Sequence, residues 1–214
     1  MTSKKSLLER WDITIEELTQ IVDDNPSLRG FMMGYVSEAI LRRTLAEDSR
    51  LKNLKKDDDH DRKKKGDLTF NYKGHEIRLE AKSLQTASAK FENNKWSGTF
   101  QCDASDRRKV TLPTGESIET TCLLVGEFDV LAVNLFAFGD QWNYAFALNE
   151  ELPRSKYRKY PEEFRTHLLS SSAKISLPLE EPFTHDLFTL LDKIVKKKEN
   201  TLNQKTLEVK VDKK

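Results

Sequence analysis

Cysteine is nearly missing. Cys102 and Cys122 are the whole complement, with no CxxC spacing and no histidine placed to complete a zinc ligand set. A disulfide framework and a structural zinc site are thereby excluded, and the two thiols are read as reduced and structural. Glycine and proline are sparse, 8 and 6 in 214 residues, which removes collagen-like and low-complexity architectures. No apolar run approaches the roughly 18 residues of a membrane span. Met1-Thr2-Ser3-Lys4-Lys5 leads into Leu7-Leu8-Glu9-Arg10 rather than a secretory apolar stretch, so the expectation is a cytoplasmic protein with no membrane partner. An excess of one charge is missing too: 36 basic against 35 acidic residues leave a formal net charge of +1, so bulk charge announces no nucleic-acid partner and only local clusters can.

What is present is a chain of 33 % charged and 37 % hydrophobic residues, enough for one core with long solvated stretches. The expectation is a single domain over residues 1–201, with a core at about 26–148, closing helices within 161–198 and a polar, frayed tail over 202–214. Thr14-Ile15-Glu16-Glu17 is a capping box opening a short helix to about Val22. Asn25-Pro26 opens a second helix, to about Ala46. Its Leu28, Phe31, Met32, Tyr35, Val36, Ala39 and Ile40 form one broad arc expected to pack inward, with Gly30 and Gly34 allowing a neighbouring backbone close approach. The charged stretch from Glu47 to Gly66 reads as a surface loop.

Beyond Gly66 the period changes to two. Leu68, Phe70 and Tyr72 alternate with polar residues, and Ile77, Leu79 and Ala81 do so again, giving two strands joined at Lys73-Gly74. Further strands are expected at Thr99–Cys102, Thr120–Val125, Phe128–Phe138 and Trp142–Leu148, the third of them apolar enough to be buried on both faces. Helices are expected from Pro161 to about Ser170 and from Thr184 to Lys198. The fold class is α/β (α+β), a mixed sheet with flanking helices.

The hairpin fixes its own register. With a two-residue loop Tyr72 faces His75, Phe70 faces Ile77 and Leu68 faces Leu79, which puts every apolar side chain on one face; a slip of one residue would mix the faces. Continued one step, this register sets Asp67 opposite Glu80, with side chains roughly 4.5–5.5 Å apart at Cβ. Two carboxylates there repel, and a divalent cation converts repulsion into coordination; Mg2+ suits hard oxygens and is commonly held by one or two carboxylates. Lys82, two residues past Glu80, projects from the same face. Two acids and an amine around one point suit phosphodiester hydrolysis. Taken alone, Glu80-Ala81-Lys82 is better explained by a wet strand face with a weak salt bridge, and Glu38 equally well by an edge pairing with Arg42. Helical acid, strand acid and Glu-x-Lys together are much less common than their parts.

The set Glu38, Asp67 and Glu80-Ala81-Lys82 resembles the signature of the PD-(D/E)XK nuclease superfamily, the restriction-endonuclease-like fold, with Gly66 in place of the proline. The resemblance implies a mixed central sheet flanked by helices and Mg2+-dependent cleavage of DNA, with Mn2+ able to substitute. It implies Asp67, Glu80 and the Ala81 carbonyl as metal ligands, Lys82 assisting the attacking water, and Glu38 holding a water of the metal's shell. It also implies an endonuclease of restriction or antiviral defence, as a homodimer or with a partner protein of that system. The other reading is a nuclease-fold module that binds DNA or protein without cutting, against which stands the cost of keeping a repelling acid pair.

Gln101, Arg107 and Arg108, following a strand that would border the site, are candidate DNA contacts, with a polar loop as the plainer reading. His60 among Asp57, Asp58, Asp59 and Asp61 is better explained by solvation than by metal binding. The tryptophans are read as packing residues.

Overall fold

The computed structural model describes residues 5–56 and 66–211, with side chains to residue 204. The Asp57–Asp61 cluster with His60, and Lys63 to Lys65, lie outside the described residues. Three helices open the chain: α1 (Leu7–Trp11), α2 (Ile15–Asp24) and α3 (Pro26–Ala46). Ser6 and Glu9 close a capping box on α1, and Thr14 and Glu17 close the expected one on α2. Strands β1 (Leu51–Lys56), β2 (Leu68–Tyr72) and β3 (His75–Ser83) follow as an antiparallel meander. After β4 (Lys90–Glu92), β5 (Lys95–Gln101), β6 (Asp103–Thr111) and β7 (Ser117–Cys122), the chain returns as β8 (Val130–Asn134) beside β3 and parallel to it, and β9 (Tyr144–Leu148) closes the edge. The short α4 (Glu162–Arg165), strand β10 (Ser172–Leu177) and the long α5 (Leu187–Val211) complete the order.

The result is a mixed α+β fold with a central five-stranded sheet, β1-β2-β3-β8-β9, flanked by helices. On one face Leu41 and Leu45 of α3, with Leu187, Leu190, Leu191 and Ile194 of α5, cover Leu68, Phe70, Ile77 and Leu79. On the other face a three-stranded sheet, β10-β5-β4, packs Phe100, Ala173 and Ile175 against Leu131 and Val133. β8 is therefore covered from both sides, Val130 and Ala132 toward the helices and Leu131 and Val133 toward the second sheet. Its continuous apolar run has this cause.

The β2–β3 register is the one the alternation dictates, from Leu68 against Leu79 to Tyr72 against His75. Lys73 and Gly74 both take positive φ, 48° and 83°, the geometry of a two-residue turn matched to strand twist.

Several expectations need correction. The stretch read as a surface loop contains β1, hidden because a register shift between Lys52 and Lys55 breaks its period. The helix expected to reach Ser170 ends at Arg165, because Leu168 and Leu169 are drawn into bridges with Leu124 and Arg154 and are fully buried there. The tail from Leu202 continues as helix to Val211, since its Lys, Glu, Leu and Gln are good helix formers and nothing breaks the run. On α3 the buried residues are Ser37, Leu41 and Leu45, while Phe31, Tyr35 and Val36 of the arc expected inside are exposed. Among the described residues, no atom beyond the helix's own neighbouring turns lies within 4 Å of a Cβ placed on Gly30 or Gly34, so none of their backbone makes the close approach these glycines would permit.

Candidate active site

The carboxylates meet where the hairpin ladder ends. The ladder stops at Leu68–Leu79, so Asp67 is not the cross-strand partner of Glu80 that the extended register called for. Gly66, at φ 87°, turns the chain there; a Cβ on it would stand 3.1 Å from the Leu79 carbonyl oxygen. The Asp67 N–H donates to that same Leu79 oxygen at 2.9 Å, and its Oδ2 accepts the Ala81 N–H at 2.7 Å. Asp67 thus caps β3 beside Glu80 through a local bend rather than a ladder pair.

Glu80 and Lys82 stand on the face of β3 away from α3 and α5. Lys82 Nζ lies 2.8 Å from Glu80 Oε1 and donates to the Asp103 carbonyl at 3.0 Å. Their side chains are only 11 % and 19 % exposed, so this is a shielded pair rather than a surface salt bridge. Ala81, between them, pairs with Ala132 of β8.

Electrostatics separate the three groups. Burial, then the charge of Glu80, push the Asp67 carboxyl up to about 7 against the pull of the Ala81 N–H and of Lys82, and Glu38 pushes the same way. For Lys82 burial works against the ammonium, but Glu80 and then Asp67 outweigh it and hold the group at about 12. Lys82 is therefore a cation at any physiological pH. Behind it the buried Cys102 thiol is pushed up to about 12 by burial, so it stays protonated, in keeping with a structural thiol.

Glu38 reaches this group from α3, close enough to raise the Asp67 pKa. Its partner is Lys56, with Nζ 3.1 Å from Oε1 and 3.1 Å from Oε2, rather than the Arg42 of the plainer reading. Lys56 was not a candidate. It sits on the strand whose bulge concealed it, and Asp103 contributes a backbone carbonyl that no side-chain pattern reports.

The remaining candidates divide. Gln101 ends β5 and is exposed, and Arg107 is exposed on β6, the strand that starts at the carbonyl holding Lys82. Arg108 is turned inward: its guanidinium pairs with both oxygens of Glu127, whose side chain is 5 % exposed, and reaches the Cys122 carbonyl. Its charge is committed inside the protein, which removes it as a DNA contact. Trp96 stacks on Phe138 with centroids 5.5 Å apart, a packing role as expected.

Whether these residues suit a divalent cation depends on their donors. Among the described residues, no three His, Cys, Asp or Glu side chains converge as a ready-made metal cage. Two hard carboxylates do converge, and with both ionised their charge exceeds that of the one shielded ammonium beside them, which a cation would relieve. Two protein carboxylates with solvent completing the shell is the donor set Mg2+ accepts.

No family model matches the chain, and no curated protein is significantly similar to it. Among solved structures it is similar in part to a bacterial homing endonuclease, I-Ssp6803I. The identity is 14 % and the TM-score 0.33, covering 64 % of this chain and 86 % of the other. So slight a likeness carries no argument about activity. No helix among the described residues is long and apolar enough to cross a membrane.

Proposed function

We propose that this protein is a divalent-metal-dependent DNA endonuclease whose chemistry rests on Asp67, Glu80 and Lys82, with Glu38 at the rim. The observation that carries the reading is the surplus acid: Lys82 answers Glu80, while Asp67 is half-buried beside them with its carboxyl raised to about 7. An ion pair serving only stability has no use for a second repelling carboxylate. Groups with strongly perturbed ionisation gathered at one point are expected of a working site.

Asp67 and Glu80 would hold the cation, with the Ala81 carbonyl as the further ligand the resemblance implies. Bound Mg2+ or Mn2+ supplies a Lewis acid for a phosphoryl oxygen and lowers the pKa of water. Lys82, held as an ammonium at about 12, cannot take a proton from water; it donates hydrogen bonds, orienting the nucleophile or stabilising negative charge on the phosphate. Glu80 would hold the cation while remaining paired with Lys82, and Asp67 would do so as the carboxylate, so metal affinity is expected to rise with pH through the range in which Asp67 loses its proton. Gln101 and Arg107, exposed on the two strands that meet at Asp103, are the groups that would meet DNA, Arg107 through phosphate. A place in restriction or antiviral defence belongs to this proposal and is checked by phage challenge of cells expressing the chain.

The test is cleavage of duplex DNA with Mg2+ or Mn2+, halted by EDTA. Glu80→Ala and Lys82→Ala are expected to abolish most of it. Wild-type rates from Lys82→Ala, with contaminating nuclease excluded, would remove the proposed site. Metal-independent DNA binding with no cleavage by the wild type would favour the non-cutting reading.

A further inference from the structure

Strands β6 and β7 pair with each other and, among the described residues, with no other strand, forming a two-stranded ribbon outside both larger sheets. A two-stranded ribbon by itself is marginal in water. This one is held through one face: Val110 and Thr120 are buried, the Arg108 guanidinium grips Glu127, and Tyr160 Oη donates to Thr120 Oγ1 at 2.9 Å. Its root lies at the proposed site, since β6 begins at Asp103, whose carbonyl accepts from Lys82 Nζ. The register then shifts between Asp103 and Arg108, an irregularity of the kind that re-aims a strand beside a site. Successive side chains alternate, so the other face presents Lys109 and Thr111 from β6 with Glu119 and Ser117 from β7, all four exposed. Register sets Lys109 opposite Glu119 and Thr111 opposite Ser117. The two hydroxyls are hydrogen-bonded at 3.1 Å. Opposite charges facing across a ladder attract, yet among the described residues no ion pair joins Lys109 to Glu119. A donor and an acceptor therefore stand side by side with both heads unused.

We infer that this face reads base sequence, entering the major groove of duplex DNA with Lys109 and Glu119 set across one G·C pair. The inference rests on the nuclease reading and deepens it by saying how the substrate is chosen. The major groove is wide enough for a two-stranded ribbon, and there guanine offers N7 and O6 as acceptors while cytosine offers its N4 amino group as a donor. The Lys109 ammonium suits the first and the Glu119 carboxylate the second. On an A·T pair the ammonium would meet the adenine amino donor and the carboxylate the thymine O4 acceptor, so both contacts would turn repulsive. A reversed C·G pair exchanges donor and acceptor in the same way. Thr111 and Ser117 follow about 7 Å further along the ribbon, close to two base-pair steps of about 3.4 Å each. Hydroxyls donate or accept, so discrimination concentrates at Lys109 and Glu119. Lys109 is six residues from Asp103, a reach of at most about 20 Å. The G·C pair therefore falls within roughly six base pairs of the phosphate that is cut.

Selection of bound duplexes from a pool with a randomised central stretch tests it, using the full chain with Lys82→Ala in Mg2+ so that DNA is bound without being cut. The selected duplexes are expected to share a fixed G·C pair. Duplexes built on the selected sequence and differing only at that pair are then compared, and G·C should bind about tenfold or more tighter than C·G or A·T. Exchanging the charges, Lys109→Glu with Glu119→Lys, keeps the net charge and is expected to reverse the preference to C·G. Should circular dichroism show that the exchange disturbs the fold, Lys109→Ala and Glu119→Ala singly serve instead, each expected to relax selection at that pair alone. A G·C preference retained by the folded variants overturns the inference. Sequence-independent binding by the parent overturns it as well and leaves the nuclease reading standing, whereas absence of any DNA binding removes both.

Discussion

Asp67 couples the site to pH. Its carboxyl rises from an ordinary 3.8 to about 7 in the folded chain. Between those values the folded state binds more protons than the unfolded one, so this group's contribution to stability declines as pH rises through the window. In EDTA, the melting temperature of the wild type relative to Asp67→Asn should fall from pH 5 to pH 8. At pH 8 the variant should be the more stable by on the order of 1–3 kcal/mol. A difference that does not change with pH would show that Asp67 is not strained by burial and Glu80. Lys82 behaves differently, since its role lies in the reaction: Lys82→Ala should lower kcat by about a hundredfold or more while leaving the DNA dissociation constant within about threefold. Single-turnover cleavage and filter binding on one preparation separate the two. Glu38, Glu80 and Lys82 could be proposed from spacing alone. Lys56 and the Asp103 carbonyl could not, the first because a bulge hid its strand and the second because a backbone acceptor leaves no mark in residue type.

Among the elements, the β2–β3 hairpin was legible to the residue because one face had to be apolar, and that requirement admits one register. Its continuation to Asp67 was not, since Gly66 bends the chain out of the ladder. β6 misleads in another way. Arg107 and Arg108 look alike in sequence, yet neighbours on a strand point to opposite faces, and the Arg108 face meets the buried Glu127. Arg108→Ala is therefore expected to cost on the order of 3 kcal/mol of stability by stranding a buried carboxylate. Arg107→Ala should leave stability unchanged and make the log–log salt dependence of DNA binding shallower by about 1. Urea unfolding and a salt titration decide between these assignments; equal stability loss from both would mean that Arg108 is not held inside.

Across the whole molecule, the central β8 and the helix-sheet-sheet layering follow from a continuous apolar run and two periodicities. The second sheet was only half visible, since β4 is three residues long and β10 owes its strand form to β5, a partner distant in sequence. Of the N-terminal helices, α2 and α3 were legible as helices and α1 was not, and the direction of their apolar faces was not: periodicity shows a face without saying what covers it. The central claim is that Asp67 and Glu80 form one cation site, and isothermal titration of Mg2+ or Mn2+ into the wild type and Asp67→Ala tests it most directly. The wild type should bind with an affinity that rises from pH 6 to pH 8 and should melt at a higher temperature when loaded. Asp67→Ala should lose that binding. Equal binding by the two proteins would contradict the account.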